Sequence, residues 1–275
     1  MEPQPPPSRK KHPPGPLRPA NLLSRLRSGP AEEVEALLAE LGESLSLAEL
    51  RAVVRNPYAR AETLEALAGR KGLMAIYEAR LLVARHRRTP MVVAMRFVGG
   101  FFWHDLAEIA LDVRLGTPLR QLAEKYLIQR LPRLSVGERI NLARRAPPET
   151  LVRLCADVDL RVLEAALENP RLTEERLLPL VQSAQATPRR LRQVARHPRW
   201  SCCYEVRLAL CRHPLTPLED VLKQLPFLRR LDLARLAADE SLSAFLRFEA
   251  AEHLAASPEE LESEPELFDL ETPVP

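Results

Sequence analysis

The chain has 275 residues, a formal net charge of +3, and 26 prolines against nine glycines. So few glycines exclude folds built on glycine-rich phosphate loops or on many hairpins, and the near balance of charge does not demand a polyanionic partner. Aromatic residues make up 5% of the chain and runs suited to strands are few, so the composition favours helices that end at proline.

Residues 1–29 form the first predicted region, a basic proline-rich arm. It contains Pro5-Pro6-Pro7 and Arg9-Lys10-Lys11 and has too few apolar residues to offset the entropy lost on ordering, so we expect disorder. No apolar segment follows the basic residues as in a secretory signal, and no stretch has the roughly 18 apolar residues of a membrane helix. Four cysteines without a short paired framework favour a reducing compartment. We therefore expect a cytoplasmic protein with no membrane partner.

Residues 30–256 show helical periodicity with closely spaced helix starts. Ser46 with Glu49 and Ser135 with Glu138 have the spacing of a capping box, and Asp105 with Glu108 has a related acidic pattern. Starts this dense predict about sixteen helices of about three turns each. Threonine before proline, which suits an N-cap followed by the first helical position, occurs at Thr89-Pro90, Thr117-Pro118, Thr187-Pro188 and Thr216-Pro217.

Five predicted helices end in the same way, in a polar pair that proline follows in four cases. Proline prevents the helix from continuing, while asparagine or histidine tolerates the turn or satisfies the last carbonyl. We call the second residue of each pair an elbow residue. The elbow residues are Asn56, His86, Asn169, His197 and His213.

Two segments of the chain match each other. Residues 85–127 align with residues 212–254 at a constant offset of 127 without a gap. A match at long period is typical of repeat architectures, in which each unit is too thin to bury its own apolar face and must stack on the next. The shared letters include Arg85, His86, Thr89, Pro90, Asp105, Asp112 and Arg120, which recur as Arg212, His213, Thr216, Pro217, Asp232, Asp239 and Arg247.

The segment from Val206 to Pro217 resembles the leucine-rich repeat variant family and the wider HEAT-like families, in which a helix ends in an Asn-Pro or His-Pro elbow before Thr-Pro. The resemblance implies an all-α fold, an α-solenoid of short antiparallel helical hairpins over residues 30–256. An acidic tail, expected to be disordered, would occupy residues 257–275. HEAT-like repeats often carry a ladder of aspartate and basic residues, which implies pairing of Asp112 with Arg120 and of Asp239 with Arg247.

Two motifs suggest metal chemistry, and neither is well supported. His197, Cys202, Cys203, Cys211 and His213 lie within seventeen positions, but zinc sites favour cysteines two to four residues apart, so buried thiols are the better interpretation. His104-Asp105, preceded by His86, is similar to the doublet of helical metal-dependent phosphohydrolases. At the offset of 127, His104 corresponds to Leu231 whereas Asp105 corresponds to Asp232. Because only the aspartate is shared, we expect it to cap a helix rather than to bind a metal. We therefore expect no cofactor and no catalytic activity.

The expected function is a non-catalytic scaffold that binds another protein through an extended helical surface. Among the aromatic residues Phe97, Phe101, Phe102 and Trp103, we expect Trp103 to be exposed and to act as an anchor. If the surface recognises charge, the expected contacts are Arg120, Arg189, Arg190, Arg192 and Arg247. The alternative is a nucleic-acid-binding HEAT-like protein related to DNA repair, whose affinity for nucleic acid would fall steeply with salt.

Overall fold

The computed structural model describes residues 21–256, and its regular structure is helical, with no strand in that range. The prediction of an all-α fold is confirmed. Most helices have eight or nine residues, shorter than expected. The α-helices of these residues are α1 Leu22–Ser28, α2 Ala31–Leu41, α3 Leu47–Val54, α4 Ala61–Ala68, α5 Lys71–Met74, α6 Tyr77–Ala84, α7 Met91–Val98, α8 Trp103–Leu111, α9 Thr117–Arg130, α10 Val136–Ala143, α11 Pro148–Cys155, α12 Leu160–Leu167, α13 Glu174–Val181, α14 Pro188–Arg196, α15 Tyr204–Arg212, α16 Leu218–Leu222, α17 Arg230–Ala238 and α18 Ala244–Ala256.

The predicted boundary of the basic arm is wrong. Helix α1 lies inside the expected arm, and its Leu22 and Leu26 are buried in a core shared with α3 and α6. The two leucines are four residues apart and therefore share one face of the helix, a pattern that overall composition hides. The rest of the arm and the acidic tail lie outside the described residues.

The helices divide into two compact units, which we call the first unit (described residues 21–134) and the second unit (described residues 135–256). Within the second unit, α12 contacts both α10 and α14, and α13 contacts both α11 and α15. Within the first unit, α3 contacts α1 and α6, and α7 contacts α9. Helices thus pack mainly on near neighbours in the chain, either the next helix or the helix two places away.

The helix starts of the two units correspond at the offset of 127 over a longer range than the identical residues do. Helices α3, α4, α6, α7, α8 and α9 begin 127 residues before α13, α14, α15, α16, α17 and α18, respectively. The correspondence therefore reaches back from Arg85 to Leu47, although few letters are shared there. The two units use the same spacing of helices for different sequences.

Local capping signals had mixed outcomes. The capping boxes at Ser46 and Ser135 are confirmed, because each hydroxyl accepts the backbone N–H three residues on and each glutamate returns the bond. Thr187 also caps its helix as predicted. The other Thr-Pro predictions are wrong. Pro90 and Pro217 occupy the N-cap positions themselves, with extended ψ, and α9 begins at Thr117 after the N-cap Gly116.

The prediction that elbow residues sit in turns is confirmed, and their side chains have a further role. Each accepts a hydrogen bond from the backbone N–H two residues later, at 2.7–3.2 Å. Three of them also reach back to a carbonyl 26 to 30 residues earlier, rather than to the last carbonyl of their own helix. Asn56 donates to Leu26 O and Gly29 O, Asn169 donates to Ala143 O, and His213 Nε2 lies 3.2 Å from Ser183 O.

Candidate functional site

Asp105 does not cap a helix, contrary to the prediction. Helix α8 begins at Trp103, so Asp105 lies in its first turn, where it accepts a hydrogen bond from the Tyr77 hydroxyl. The same hydroxyl accepts the backbone N–H of Phe102 at 2.9 Å. Burial, reinforced by the bond to Asp105, raises the pKa of Tyr77 to about 12. Asp105 is therefore occupied in holding α8 against α6.

The metal interpretations are not supported by the arrangement of the side chains. His104 Nε2 lies 3.2 Å from Asp105 Oδ2, whereas His86 ends α6 and accepts the N–H of Arg88 through Nδ1. Within residues 21–256, no group of three or more His, Cys, Asp or Glu side chains comes close enough to hold a metal ion. The phosphohydrolase doublet is thus not accompanied by further ligands.

The same finding covers the weak zinc candidates. His197 and His213 are elbow residues whose Nδ1 atoms accept backbone N–H groups. Cys202 is exposed, Cys203 Sγ donates to Arg199 O at 3.5 Å, and Cys211 is buried in α15. Burial raises the pKa of the Cys211 thiol to about 12, which disfavours the thiolate that zinc requires.

The predicted exposure of Trp103 is wrong. Trp103 is half-buried, Phe101 is fully buried, and Phe102 is the exposed aromatic residue, with 57% of its surface accessible. The Phe102 ring lies 4.9 Å from the Tyr77 ring and stacks at 5.9 Å on His104. Its counterpart at the offset of 127 is Arg229, so this exposed ring belongs to the first unit alone.

Two of the predicted contact arginines are used inside the second unit. Arg190 Nη2 donates to the carbonyls of Ala156 and Asp157, at 2.8 and 2.6 Å. Arg192 Nε donates to Asp220 at 3.1 Å. Arg189 and Arg192 are both exposed. Arg189 differs in that its guanidinium makes no hydrogen bond or ion pair within residues 21–256.

The predicted ladder is replaced by other pairs. Asp112 binds the guanidinium of Arg114 at 2.8 Å, while Arg120 donates to Thr117 Oγ1 at 3.1 Å. The Nε atoms of Arg120 and Arg247 are both buried and have no hydrogen-bond partner in the part of the chain described. Ion pairs do join helices two or three places apart in the chain, at Arg51–Glu78, Arg85–Glu108, Arg176–Glu149, Arg192–Asp220 and Arg212–Asp232.

Each unit carries a surface pocket beside the same elbow. The first pocket, of about 390 Å³, lies at the end of α6, and the second pocket, of about 470 Å³, lies at the end of α15. Six positions line both pockets at the offset of 127. They are Glu78, Leu81, Leu82, Arg85, His86 and Arg87 in the first pocket, and Glu205, Leu208, Ala209, Arg212, His213 and Pro214 in the second.

The two pockets differ in charge. Arg87 and Arg114 line the first pocket, and their counterparts in the second unit are Pro214 and Ser241. Burial lowers the pKa of His86, and the charges of Arg88 and Arg87 lower it further. Arginine therefore supplies the positive charge of the first pocket, while the histidine beside it stays neutral near pH 7.

Sequence reasoning missed these pockets and the tyrosines beside them. Tyr77 and Tyr204 are identical at the offset of 127 but lie just outside the matched segments, and extending the alignment by eight residues would have found them. No family model, no curated protein and no solved structure matches the chain. In residues 21–256, no helix has both the length and the apolar character needed to cross a membrane.

Proposed function

We propose that this chain is a non-catalytic protein-interaction module whose helices stack in the manner of a HEAT-like or leucine-rich-repeat-variant α-solenoid. The observation that carries the proposal is the pair of pockets placed beside equivalent elbows in two units of different sequence. A shared position for an open pocket is expected where a repeated scaffold presents side-chain-sized sites to a partner.

The stacking part of the proposal is supported by the range of the contacts. Helices contact mainly their close neighbours in the chain, and elbow side chains bind carbonyls 26 to 30 residues back. Bonds that span only about one helical pair are what a one-dimensional stack requires, since each pair then touches only the pairs beside it.

A protein partner suits the lining of both pockets. Leucine side chains meet one glutamate and at least one arginine in each, and Leu215 leaves 45% of its surface exposed at the second pocket. An apolar floor with a polar rim is the usual anatomy of a site that receives a partner's side chain. The volumes of about 390 and 470 Å³ suit one or two such side chains.

Nucleic-acid binding is the second candidate, because 35 of the 40 basic residues are arginine and Arg189 is exposed. It ranks second since Arg190 and Arg192 already bind acceptors within the protein. Phosphate contacts would have to come from the remaining arginines, and affinity would then fall steeply with salt.

The test is capture of partners by the tagged full-length chain at low and high salt, with mass spectrometry and nucleic-acid staining. The pocket variants are Arg87→Glu at the first pocket and Leu215→Glu at the second. The control is Val158→Glu, which places the same charge on a side chain that is 91% exposed and lines neither pocket.

We expect defined proteins to persist at high salt and to be lost from at least one pocket variant but not from the control. Nucleic acid released by salt would favour the second candidate. Partners retained equally by all three variants would overturn the role of the pockets.

A further inference from the structure

We propose that the first pocket binds an acidic peptide, in which an apolar side chain lies next to one or more carboxylates. This inference rests on the proposed interaction function and assigns the ligand class of one of its two sites. The second pocket, which lacks counterparts of Arg87 and Arg114, serves as a comparison within the same chain.

The floor of the first pocket is apolar. Leu81 and Leu82 project from α6, and Val54 ends the neighbouring helix α3. All three side chains are only partly buried, so apolar surface remains accessible. A leucine, isoleucine or phenylalanine side chain of a partner would remove this surface from water.

The rim of the first pocket is basic. Arg85 is paired with Glu108 at 2.6 Å, and Arg114 is paired with Asp112 at 2.8 Å. Arg87 is exposed, and its guanidinium has no ion pair or hydrogen bond to any of residues 21–256. It is therefore available for a bidentate bond to a carboxylate.

The acids near the rim already have partners. Glu78, the acid that lines the pocket, pairs with Arg51, while Glu108 and Asp112 pair with the arginines named above. Arg87 thus adds a positive charge that no acid among these offsets. An incoming carboxylate meets a cation without displacing an existing pair, whereas an incoming lysine would meet repulsion.

The second pocket lacks this unpaired positive charge at the equivalent positions. Pro214 stands where the first unit has Arg87, and Leu215 stands where it has Arg88. Its one lining arginine, Arg212, is within 3.4 Å of Asp232. Charge complementarity therefore assigns acidic ligands to the first pocket only.

A peptide fits this site better than a nucleic acid does. The lining of the first pocket contains no Phe, Tyr or Trp ring, its one ring being the half-buried imidazole of His86, and it includes Glu78, which repels phosphate. The leucine floor has no counterpart in phosphate recognition. A nucleic-acid ligand is accordingly the outcome that contradicts the proposal.

The experiment uses the full chain and an array of short peptides. One set places Leu, Ile, Phe or Trp between two to four Asp or Glu residues, and matched sets replace the acids by Gln or Lys. The strongest binders are then titrated by fluorescence anisotropy against wild type, Arg87→Gln, and the control Arg153→Gln, which removes an exposed arginine of the second unit that lines neither pocket.

We expect acidic peptides to bind more tightly than their Gln counterparts, and Arg87→Gln to weaken that binding about tenfold, the usual effect of losing one charge-assisted hydrogen bond. Arg153→Gln should bind like wild type. Pro214→Arg, which installs the missing charge at the second pocket, should increase the number of acidic peptides bound per chain.

Equal binding of acidic and Gln peptides, or wild-type affinity in Arg87→Gln, would overturn the proposal. So would a single-stranded oligonucleotide that displaces every bound peptide and itself requires Arg87. The interaction function is tested separately by the capture experiment, and it fails if the captured ligand is nucleic acid that salt releases. The ligand class and the module can therefore fail separately.

Discussion

Tyr204 donates a hydrogen bond from its hydroxyl to the carboxylate of Asp232 across 2.5 Å, and Tyr77 makes the same bond to Asp105 in the first unit. Each hydroxyl also accepts a backbone N–H, from Arg229 at 3.1 Å in the second unit. One phenol therefore joins the start of one helix to the first turn of another. Its removal leaves a buried carboxylate and an N–H group each short of a partner.

Replacing Tyr77 or Tyr204 by phenylalanine should lower the free energy of unfolding by about 1–3 kcal/mol, since two hydrogen bonds are lost without a change in packing volume. Urea denaturation followed by circular dichroism measures the change. Tyr58→Phe is the control, because Tyr58 is exposed and its hydroxyl should contribute little. Equal midpoints for all three variants would contradict a structural role for the bond.

The Tyr77 bond should also make stability depend on pH. Burial raises the pKa of Tyr77 from 10.0 to about 12, so the folded state holds the proton more tightly than the unfolded state. Its contribution is complete below pH 10 and is lost as the pH rises through 12. The difference in unfolding free energy between wild type and Tyr77→Phe should shrink over this window, and a constant difference would argue against the raised pKa.

Asn56 should be among the most sensitive polar residues. Its side chain is buried, donates to Leu26 O and Gly29 O, and accepts the N–H of Tyr58. Asn56→Ala leaves these groups unsatisfied, and we expect a loss of about 3 kcal/mol in urea denaturation. Asn141→Ala, on the exposed face of α10, should change stability by less than about 0.5 kcal/mol.

The cluster of Asp220 with Arg192 and Arg196 should respond asymmetrically to mutation. The aspartate side chain is 1% exposed, whereas the arginines are 49% and 50% exposed. The double variant Arg192→Gln, Arg196→Gln leaves a buried carboxylate without a cationic partner. It should lower the free energy of unfolding by about 3–5 kcal/mol. Asp220→Asn leaves two arginines that water can solvate, so it should lower the free energy of unfolding by about 1 kcal/mol. Thermal unfolding of both variants tests the order, and the reverse order would contradict the burial of Asp220.

Thiol reactivity should follow burial. Cys202 is exposed, while burial raises the pKa of both Cys155 and Cys211 to about 12. In the native protein an aromatic disulfide reagent should label Cys202 fastest, Cys203 more slowly, and the other two only after denaturation. Cys202→Ser should remove the fast phase. Rapid labelling of Cys211 would show that α15 does not bury it.

Local chemistry made part of this fold predictable from the sequence. A capping box joins residues three apart, so Ser46 and Glu49 predict the start of α3 without information from the rest of the chain. The elbow at Asn56 was recognisable because proline follows it. Contacts between residues about 28 positions apart could not be predicted, since nothing in the sequence near Tyr77 indicates that Asp105 is its partner.

Exposure was harder to predict than helicity. Trp103 was expected to be the exposed ring, whereas Phe102 is the exposed one, and α8 begins between them, at Trp103. Successive side chains on a helix point about 100° apart, so an error of one residue in a helix start exchanges the exposed and half-buried rings. The pockets escaped prediction for a related reason, because they depend on where α3, α6 and the turn holding Arg114 meet.

The common spacing of helices in the two units has a consequence for how the chain reaches its native state. A helix such as α6 has two places of similar geometry to dock while the polypeptide is still collapsing, its own and that of α15. Exchange of equivalent segments is a recognised failure of chains with duplicated parts. Side chains that differ between equivalent positions, such as Phe102 and Arg229, make docking in the other unit unfavourable. The sequence differences between the two halves therefore protect against misassembly.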